Sequence, residues 1–264
     1  MRNNKHTFVI CAYKESPFLE ECIISLKKQT LPTNIIMITS TPNEYITTLA
    51  EKYNIDLYIN TGEHGIVQDW NFGYMKCKTP YVTIAHQDDI YFPQYAERAV
   101  SFMECAKHPL IFFSDYCEIR NGEKIKDNQL LRIKRLLLMP LRLKQFQKSR
   151  FVRRRSLSLG NGICCPAVSF AVNNIPNPVF SVHFRSDEDW EAWERLSQLK
   201  GEFLYDPTIL MGHRIHKDSE TSVILGDNAR SKEDYEMFCK FWPKLIAKIL
   251  VKFYSRSEKS NNIH

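Results

Sequence analysis

Two adjacent carboxylates, Asp88 and Asp89, close a short apolar run in YVTIAHQDDIYFP. A buried strand ending there would deliver His86-Gln87-Asp88-Asp89 to the edge of a sheet. Neighbouring anions repel each other, which disfavours burying both. A divalent cation removes that cost. Mg2+ or Mn2+ held by one or two carboxylates and by substrate phosphates is a common arrangement. The competing reading is a solvated turn that caps the helix after Pro93.

A second acidic cluster lies in RSDEDWEAWERL, where Asp187, Glu188, Asp189 and Glu191 crowd a helix start. The helix dipole favours negative charge there. Trp190, Trp193 and Leu196 recur at a spacing that fits a buried face. A carboxylate beside such an aromatic wall can have a raised pKa and act as a general base on an acceptor hydroxyl. Ordinary helix-start acids over two core tryptophans are the alternative.

The third cluster is GHRIHKDSETS, in which His213 and His216 flank Arg214. A histidine there can complete a metal site, and the arginine can hold a phosphate. A solvated loop histidine is the competing view. In TGEHGIVQDWNFGYM, Gly62, Gly65 and Gly73 match neither G-x-G-x-x-G nor a P-loop. Asp69 and Asn71 fall near a possible ligand edge, against core packing by Trp70 and Phe72.

These residues need elements to position them. Apolar runs at 7–12, 34–38, 55–59, 81–85 and 110–114 read as strands. Helices are predicted from Ser16-Pro17 onward and over 42–53, 65–77 and 92–105. Such alternation implies βαβ units and a mainly parallel sheet. Ligands then bind beyond the carboxyl ends of the strands. The segments 13–15, 39–43 and 86–89 fall at that edge. Beyond Ser114 the pattern is irregular. A strand is expected over 167–172, a helix over 187–199, and two short strands over 202–205 and 208–213, split by Asp206-Pro207. Helices near 228–241 and 243–254 precede a polar tail that is expected to fray.

The 264 residues suit one large α/β domain, with 44% apolar and 25% charged residues. No apolar run approaches the ~20 residues that span a bilayer. The start, MRNNKHTFVICAY, lacks a signal-peptide pattern, so a cytoplasmic protein is expected. The eight cysteines show no C-x-x-C spacing, so reduced, mostly buried thiols are expected rather than disulfides or zinc.

In this order the segments resemble the family 2 glycosyltransferases of GT-A fold, over roughly 6–115 and 160–220. ICAYKESPFLEECIISLKKQT resembles the family's opening strand, loop and helix. GIVQDWNFGYMKCKTPYVTIAHQDDIYFP resembles the segment ending in its Asp-x-Asp motif. EDWEAWERLSQLKGEFLYDPTILMGHRIH resembles its Glu-Asp helix and Arg-x-His strand end. The resemblance implies a metal on Asp88, with Asp89 and His216 beside it, and a base at Asp189 with Glu188 as neighbour. It implies a donor site at Tyr13, Glu15, Thr39, Asn71, His86, Asp88 and Arg214. Two departures stand out. The family's first acid is His86 here, and the usual aspartates after the second strand are replaced by Thr39-Ser40-Thr41-Pro42-Asn43.

The implied reaction moves a sugar from a nucleoside-diphosphate donor to an acceptor hydroxyl, with inversion and a divalent metal. Residues 1–115 form the donor half and 116–220 the acceptor and catalytic half. Residues 221–264 form a helical tail. From Asn128 to Ser186 there is no acid, and ten Lys and Arg lie between 130 and 155. This basic insertion (124–155) suits a glycan or lipid-linked acceptor of cell-surface polysaccharide synthesis. In the last helix, Lys244, Lys248 and Lys252 run beside Leu245, Ile249 and Phe253. That pattern suits peripheral binding to an anionic membrane surface at the inner face of the cell membrane; its rival is a core-packing helix with a solvated basic face. Nucleic acid is not expected, because no recognition motif accompanies the charge. Rival functions are a nucleotidyltransferase on a similar sheet and a non-catalytic transferase-like binding module.

Overall fold

The computed structural model describes residues 5–216 and 228–259. The end of the GHRIHKDSETS cluster, the segment joining it to the next helix and the last five residues of the tail lie outside them. One nine-stranded sheet organises the chain, in the order β3-β2-β1-β4-β8-β6-β9-β5, with β7 added to β6. The strands are β1 (His6–Cys11), β2 (Asn34–Thr39), β3 (Asp56–Ile59), β4 (Tyr81–His86), β5 (Ile90–Tyr91), β6 (Pro109–Arg120), β7 (Glu123–Ile125), β8 (Val168–Ala171) and β9 (Glu202–Ile215). β1, β2, β3, β4, β6 and β9 run in one direction and β5, β7 and β8 in the other, so the sheet is mainly parallel.

Strand side chains alternate between faces, and here each face has its own core. Val9 of β1, Ile36 and Ile38 of β2 and Ile111 and Phe113 of β6 enter one core. Phe8, Ile10, Met37 and Phe112 enter the other. The second core is closed by α1 (Leu19–Lys27), α2 (Glu44–Lys52) and α4 (Tyr95–Cys105). The first is closed by α3 (Ile66–Lys76), α8 (Glu188–Ser197) and α9 (Asn228–Phe241), with α10 (Lys244–Lys259) outside them. Trp190, Trp193 and Leu196 are all fully buried, as their spacing predicts.

Several local expectations change. The helix expected at Ser16-Pro17 starts at Leu19, because Ser16 instead caps a turn, its Oγ accepting the Phe18 amide at 3.3 Å. The two strands expected around Asp206-Pro207 are one strand. Pro207 has no N–H to give the ladder, and a register shift against β6 takes it out of the pairing. Asp206 Oδ1 accepts the Thr208 amide at 3.0 Å and holds that bulge. β6 runs on to Arg120 and so crosses the expected boundary between the two halves.

The basic insertion folds as α5 (Gln129–Leu138), a 3-10 turn, α6 (Lys144–Gln147) and α7 (Arg150–Ser156). Asn128 caps α5 by accepting the Leu131 amide at 2.9 Å. α10 extends past the expected end at Tyr254 to Lys259. Its Leu245, Ile249 and Phe253 face solvent, so that stripe does not pack into the core. All eight cysteines are free thiols, and among the described residues no helix is long and apolar enough to cross a membrane.

Candidate active site

β1 and β4 are paired so that Cys11 lies opposite His86, which brings the loop after β1 to the turn after β4. The His86–Asp89 turn is closed by the Asp89 amide donating to the His86 carbonyl at 3.3 Å. The chain then crosses to pair β5 with β9, placing Ile90 opposite Gly212. The last residues of β9 therefore lie against the two aspartates.

Asp89 has no exposed surface. Its Oδ1 accepts the Arg214 amide at 2.8 Å and lies 3.0 Å from His213 Nδ1. Burial pushes the His213 ring down, but Asp89 and Asp88 outweigh it and hold it above its usual value. Asp88 differs from its neighbour. Its Oδ2 meets His216 Nε2 at 2.9 Å, and its side chain keeps 17% exposure. Burial pushes the Asp88 carboxyl up, while the His216 hydrogen bond and the charges of His86, His213 and His216 bring the net shift down.

His86 stacks on Trp70 at 5.2 Å, and its buried Nε2 has no hydrogen-bond partner. Ligand atoms of His86, Asp88 and Asp89 lie within 4.8 Å of one another. This donor set fits a divalent cation: an imidazole beside a carboxylate whose second oxygen is not engaged by His216. Imidazole and carboxylate together suit a first-row metal such as Mn2+ more readily than Mg2+.

Arg214, read from sequence as a phosphate contact, is committed elsewhere. Its Nε donates to the Asp88 carbonyl at 2.8 Å, its Nη2 to Glu21 at 2.5 Å, and its guanidinium stacks on Phe18 at 4.3 Å. Only 7% exposed, it clamps the aspartate turn to α1. Asn71 is likewise occupied: it donates to the Phe180 carbonyl at 2.8 Å and accepts the Phe180 amide at 3.1 Å. Thr39 is buried, and its Oγ1 accepts the Thr41 amide at 3.0 Å.

The loop after β1 is open. Tyr13 and Glu15 are exposed, and Gln87 ties the loop to the turn by exchanging two 3.0 Å hydrogen bonds with the Tyr13 backbone. Lys14, with φ of 52°, donates its amide to Thr41 at 2.7 Å. Beneath, Asp69 accepts from Ser40 at 2.7 Å and from Asn60 at 2.8 Å, joining the ends of β2 and β3.

Asp189 sits half-buried in the first turn of α8, with Glu188 buried beside it. Its carboxylate accepts the Trp190 amide at 2.6 Å and Asn161 Nδ2 at 2.9 Å. Burial raises its pKa above the usual carboxylate value, against the pull of those bonds and of Lys134 and Arg230. Lys134 comes from the basic insertion and donates to the Tyr116 hydroxyl at 3.0 Å. Its charge reaches both Asp189 and His213. The buried Cys164 thiol is pushed up by burial and feels Lys134, Asp89 and Asp189 alike. Lys134, bonded to Tyr116, whose ring lies 6.2 Å from that of His213, thus links the Asp89 pair to the Asp189 cluster.

Sequence reasoning missed Lys134, Asn161 and Glu233. Lys134 had a signal. It lies between Leu131 and Leu138 on the inward face of α5. Glu233 of α9 had none. Its carboxylate accepts the backbone amides of Arg185, Ser186 and Asp187, which lead into α8.

A curled α/β sheet with these acids at the carboxyl end of its parallel strands is the architecture of GT-A glycosyltransferases. Among solved structures of that fold, a mannosyltransferase from Pyrobaculum calidifontis in complex with GDP-Man and Mn2+ superposes with a TM-score of 0.60 at 13% identity, over 98% of this chain and 72% of that one. S. aureus TarS 1-349 in complex with UDP-GlcNAc gives 0.57 at 14% identity, over 94% and 70%. The chain spans 42% of the longer TarS structure. The model for glycosyl transferase family 2 matches residues 7–171, more than half of the chain, and the protein belongs to that family. It is also 28% identical over 212 residues to the amylovoran biosynthesis glycosyltransferase AmsE of Erwinia amylovora, covering 78% of this chain and 74% of that protein.

Proposed function

We propose that the protein transfers a glycosyl group from a nucleoside-diphosphate sugar to an acceptor hydroxyl, with inversion, in the synthesis of a cell-surface polysaccharide or related glycan. The observation that carries this reading is the half-buried Asp189, with its raised pKa, sharing Lys134 and Cys164 with the Asp88–Asp89 turn. A carboxylate of raised basicity takes a proton from a hydroxyl more readily than an ordinary one. The acceptor oxygen attacks the anomeric carbon, its proton passes to Asp189, and the bond to the diphosphate breaks with its electron pair leaving on the nucleoside diphosphate. Attack opposite the leaving group inverts the anomeric centre.

Tyr13 and Glu15, on the open loop after β1, face the nucleotide in this reading. The hydroxyl-rich segment 39–43 binds its base or ribose. Asp89 and Arg214 act on the fold, keeping Asp88 in place. Asp88 and His86, with His216 adjoining, would hold a divalent metal, which when bound neutralises charge on the diphosphate. The named role of AmsE and the basic insertion support a glycan or lipid-linked acceptor at the inner face of the cell membrane.

The test is release of nucleoside diphosphate from UDP- and GDP-sugars, with and without Mn2+, by the wild type and Asp189→Asn. Release that depends on Mn2+ and is lost in Asp189→Asn supports the proposal. Pyrophosphate as the released product, or full turnover by Asp189→Asn, overturns it.

A further inference from the structure

We infer that the outer face of α10 is a docking surface for an anionic lipid bilayer. Leu245, Ile249 and Phe253 recur one helical turn apart and are 78%, 57% and 65% exposed. Phe151, in the last helix of the basic insertion, is also 71% exposed. Large apolar side chains gathered on one face of a protein mark an interaction site. The opposite face of α10 already anchors the helix. Ala247 is fully buried, and the Tyr254 ring packs on Trp190 at 5.7 Å and Phe238 at 5.6 Å. The outward residues are not needed to hold the helix in place.

The start of α10 is tied to the end of the basic insertion. Trp242, ahead of α10, donates its indole N–H to the Ser158 carbonyl at 2.7 Å. The Arg155 guanidinium lies over the Trp242 ring at 4.9 Å and the Phe151 ring at 5.6 Å. A Cβ on Gly160 would come within 2.8 Å of the Tyr254 ring, so that loop meets α10 on its anchored side.

Charge selects the occupant. Lys244, Lys248 and Lys252 each precede an apolar residue of the stripe, and all three are exposed. No acid occurs between Asn128 and Ser186. A second copy of the chain would bring like charges face to face. An anionic bilayer offers opposite charge at the headgroups and an apolar layer just below. Since no described helix can span a membrane, α10 would lie along the surface. Trp190, against which Tyr254 packs, adjoins Asp189 in sequence, so the bilayer would sit about one helix diameter, roughly 10 Å, from the helix carrying the base. This deepens the reading of a lipid-linked acceptor and rests on it for its role, but binding is measured without turnover.

The experiment is co-sedimentation of the full chain with vesicles of phosphatidylcholine alone, or mixed with phosphatidylserine. Wild type is expected to sediment with the mixed vesicles, less so at high salt. The triple variant Leu245→Glu, Ile249→Glu, Phe253→Glu is expected to bind about tenfold more weakly or worse, and Lys248→Ser with Lys252→Ser to lose the preference for anionic lipid. All five positions are exposed, so thermal melting should change little. Wild type that stays in the supernatant with both vesicles overturns the proposal. So does a triple variant that binds like wild type, or a wild-type dimer that this variant disperses. Vesicle binding without nucleoside-diphosphate release from any sugar donor would refute the transfer reaction and leave the docking surface standing.

Discussion

The Arg214 backbone amide donates at 2.8 Å to an Asp89 carboxylate with no exposed surface, joining the turn after β4 to the end of β9. Adjacent aspartates therefore have different tasks. Asp89 also carries the His213 pair, so Asp89→Ala leaves the His213 ring and the Arg214 amide without their shared partner. Breaking a buried, hydrogen-bonded charge pair costs about 3 kcal/mol, and the loss is to be read from denaturant midpoints. Asp88→Asn, at a partly exposed carboxylate that keeps one oxygen free of His216, should cost less, about 1 kcal/mol. It should lose the Mn2+-dependent thermal shift by nucleoside diphosphates instead. Equal destabilisation by both variants would contradict this division.

Asp189 should set the acid limb of activity. Burial holds its pKa above the ordinary value of about 3.9. kcat/KM is therefore expected to rise with pH through a limb lying above that value, as the base ionises. Cations and acids face it from several elements: Lys134 on α5, Arg230 on α9, Glu188 on its own helix, and the thiols Cys164 and Cys165. Removing a cation favours the neutral acid, so Lys134→Met should move the limb to higher pH and Lys134→Arg should restore it. The stability contribution has the matching sign. Between the unfolded and folded pKa values the native state binds more protons, so rising pH costs stability in that window. A pH profile unchanged in Lys134→Met would remove Lys134 from this role.

Glu233 places α8, the helix of the proposed base Asp189. Its carboxylate accepts the Ser186 amide at 2.8 Å, the Ser186 hydroxyl at 2.9 Å and the Arg185 amide at 3.1 Å. These donors precede α8, where a negative charge also suits the helix dipole. Glu233→Ala strips several bonds from one partner and should cost about 1–3 kcal/mol. Amide exchange of 185–190 should quicken, while the β1–β4 region keeps its protection. Unchanged exchange in 185–190 would mean that α9 does not support the helix.

The parts of this fold readable in one dimension were those in which a local pattern suffices. Val9, Ile36 and Ile38 alternate with Phe8, Ile10 and Met37 because the sheet is covered on both faces. Trp190, Trp193 and Leu196 needed only helical periodicity. β6 beyond Ser114 was not legible, because Asp115 and Glu118 are charged yet interior. Their partners Arg135, Arg120 and Asn128 come largely from the insertion, outside any local window. The hydrogen bonds of Arg214 and Asn71 were hidden for a related reason. A polar side chain near a ligand edge looks the same in sequence whether it faces the ligand or holds a distant backbone, as Asn71 holds Phe180.

Gly162 tests whether the insertion and the base are coupled through packing. A Cβ there would meet Leu138 Cγ at 3.1 Å and the Lys134 carbonyl at 3.3 Å. Both neighbours belong to α5, while Asn161, one residue before, donates to Asp189. Gly162→Ala must therefore push α5 away by a few tenths of an ångström or shift the Asn161 loop. Overpacking of this size costs roughly 1 kcal/mol of stability, which should show as a small fall in Tm. The larger effect should be on kcat, because a small displacement of the groups around a base removes much of their benefit. KM for the donor should change little, since the loop after β1 lies elsewhere. A Gly162→Ala enzyme with lower Tm but unaltered kcat would show that α5 packs beside the base without governing it.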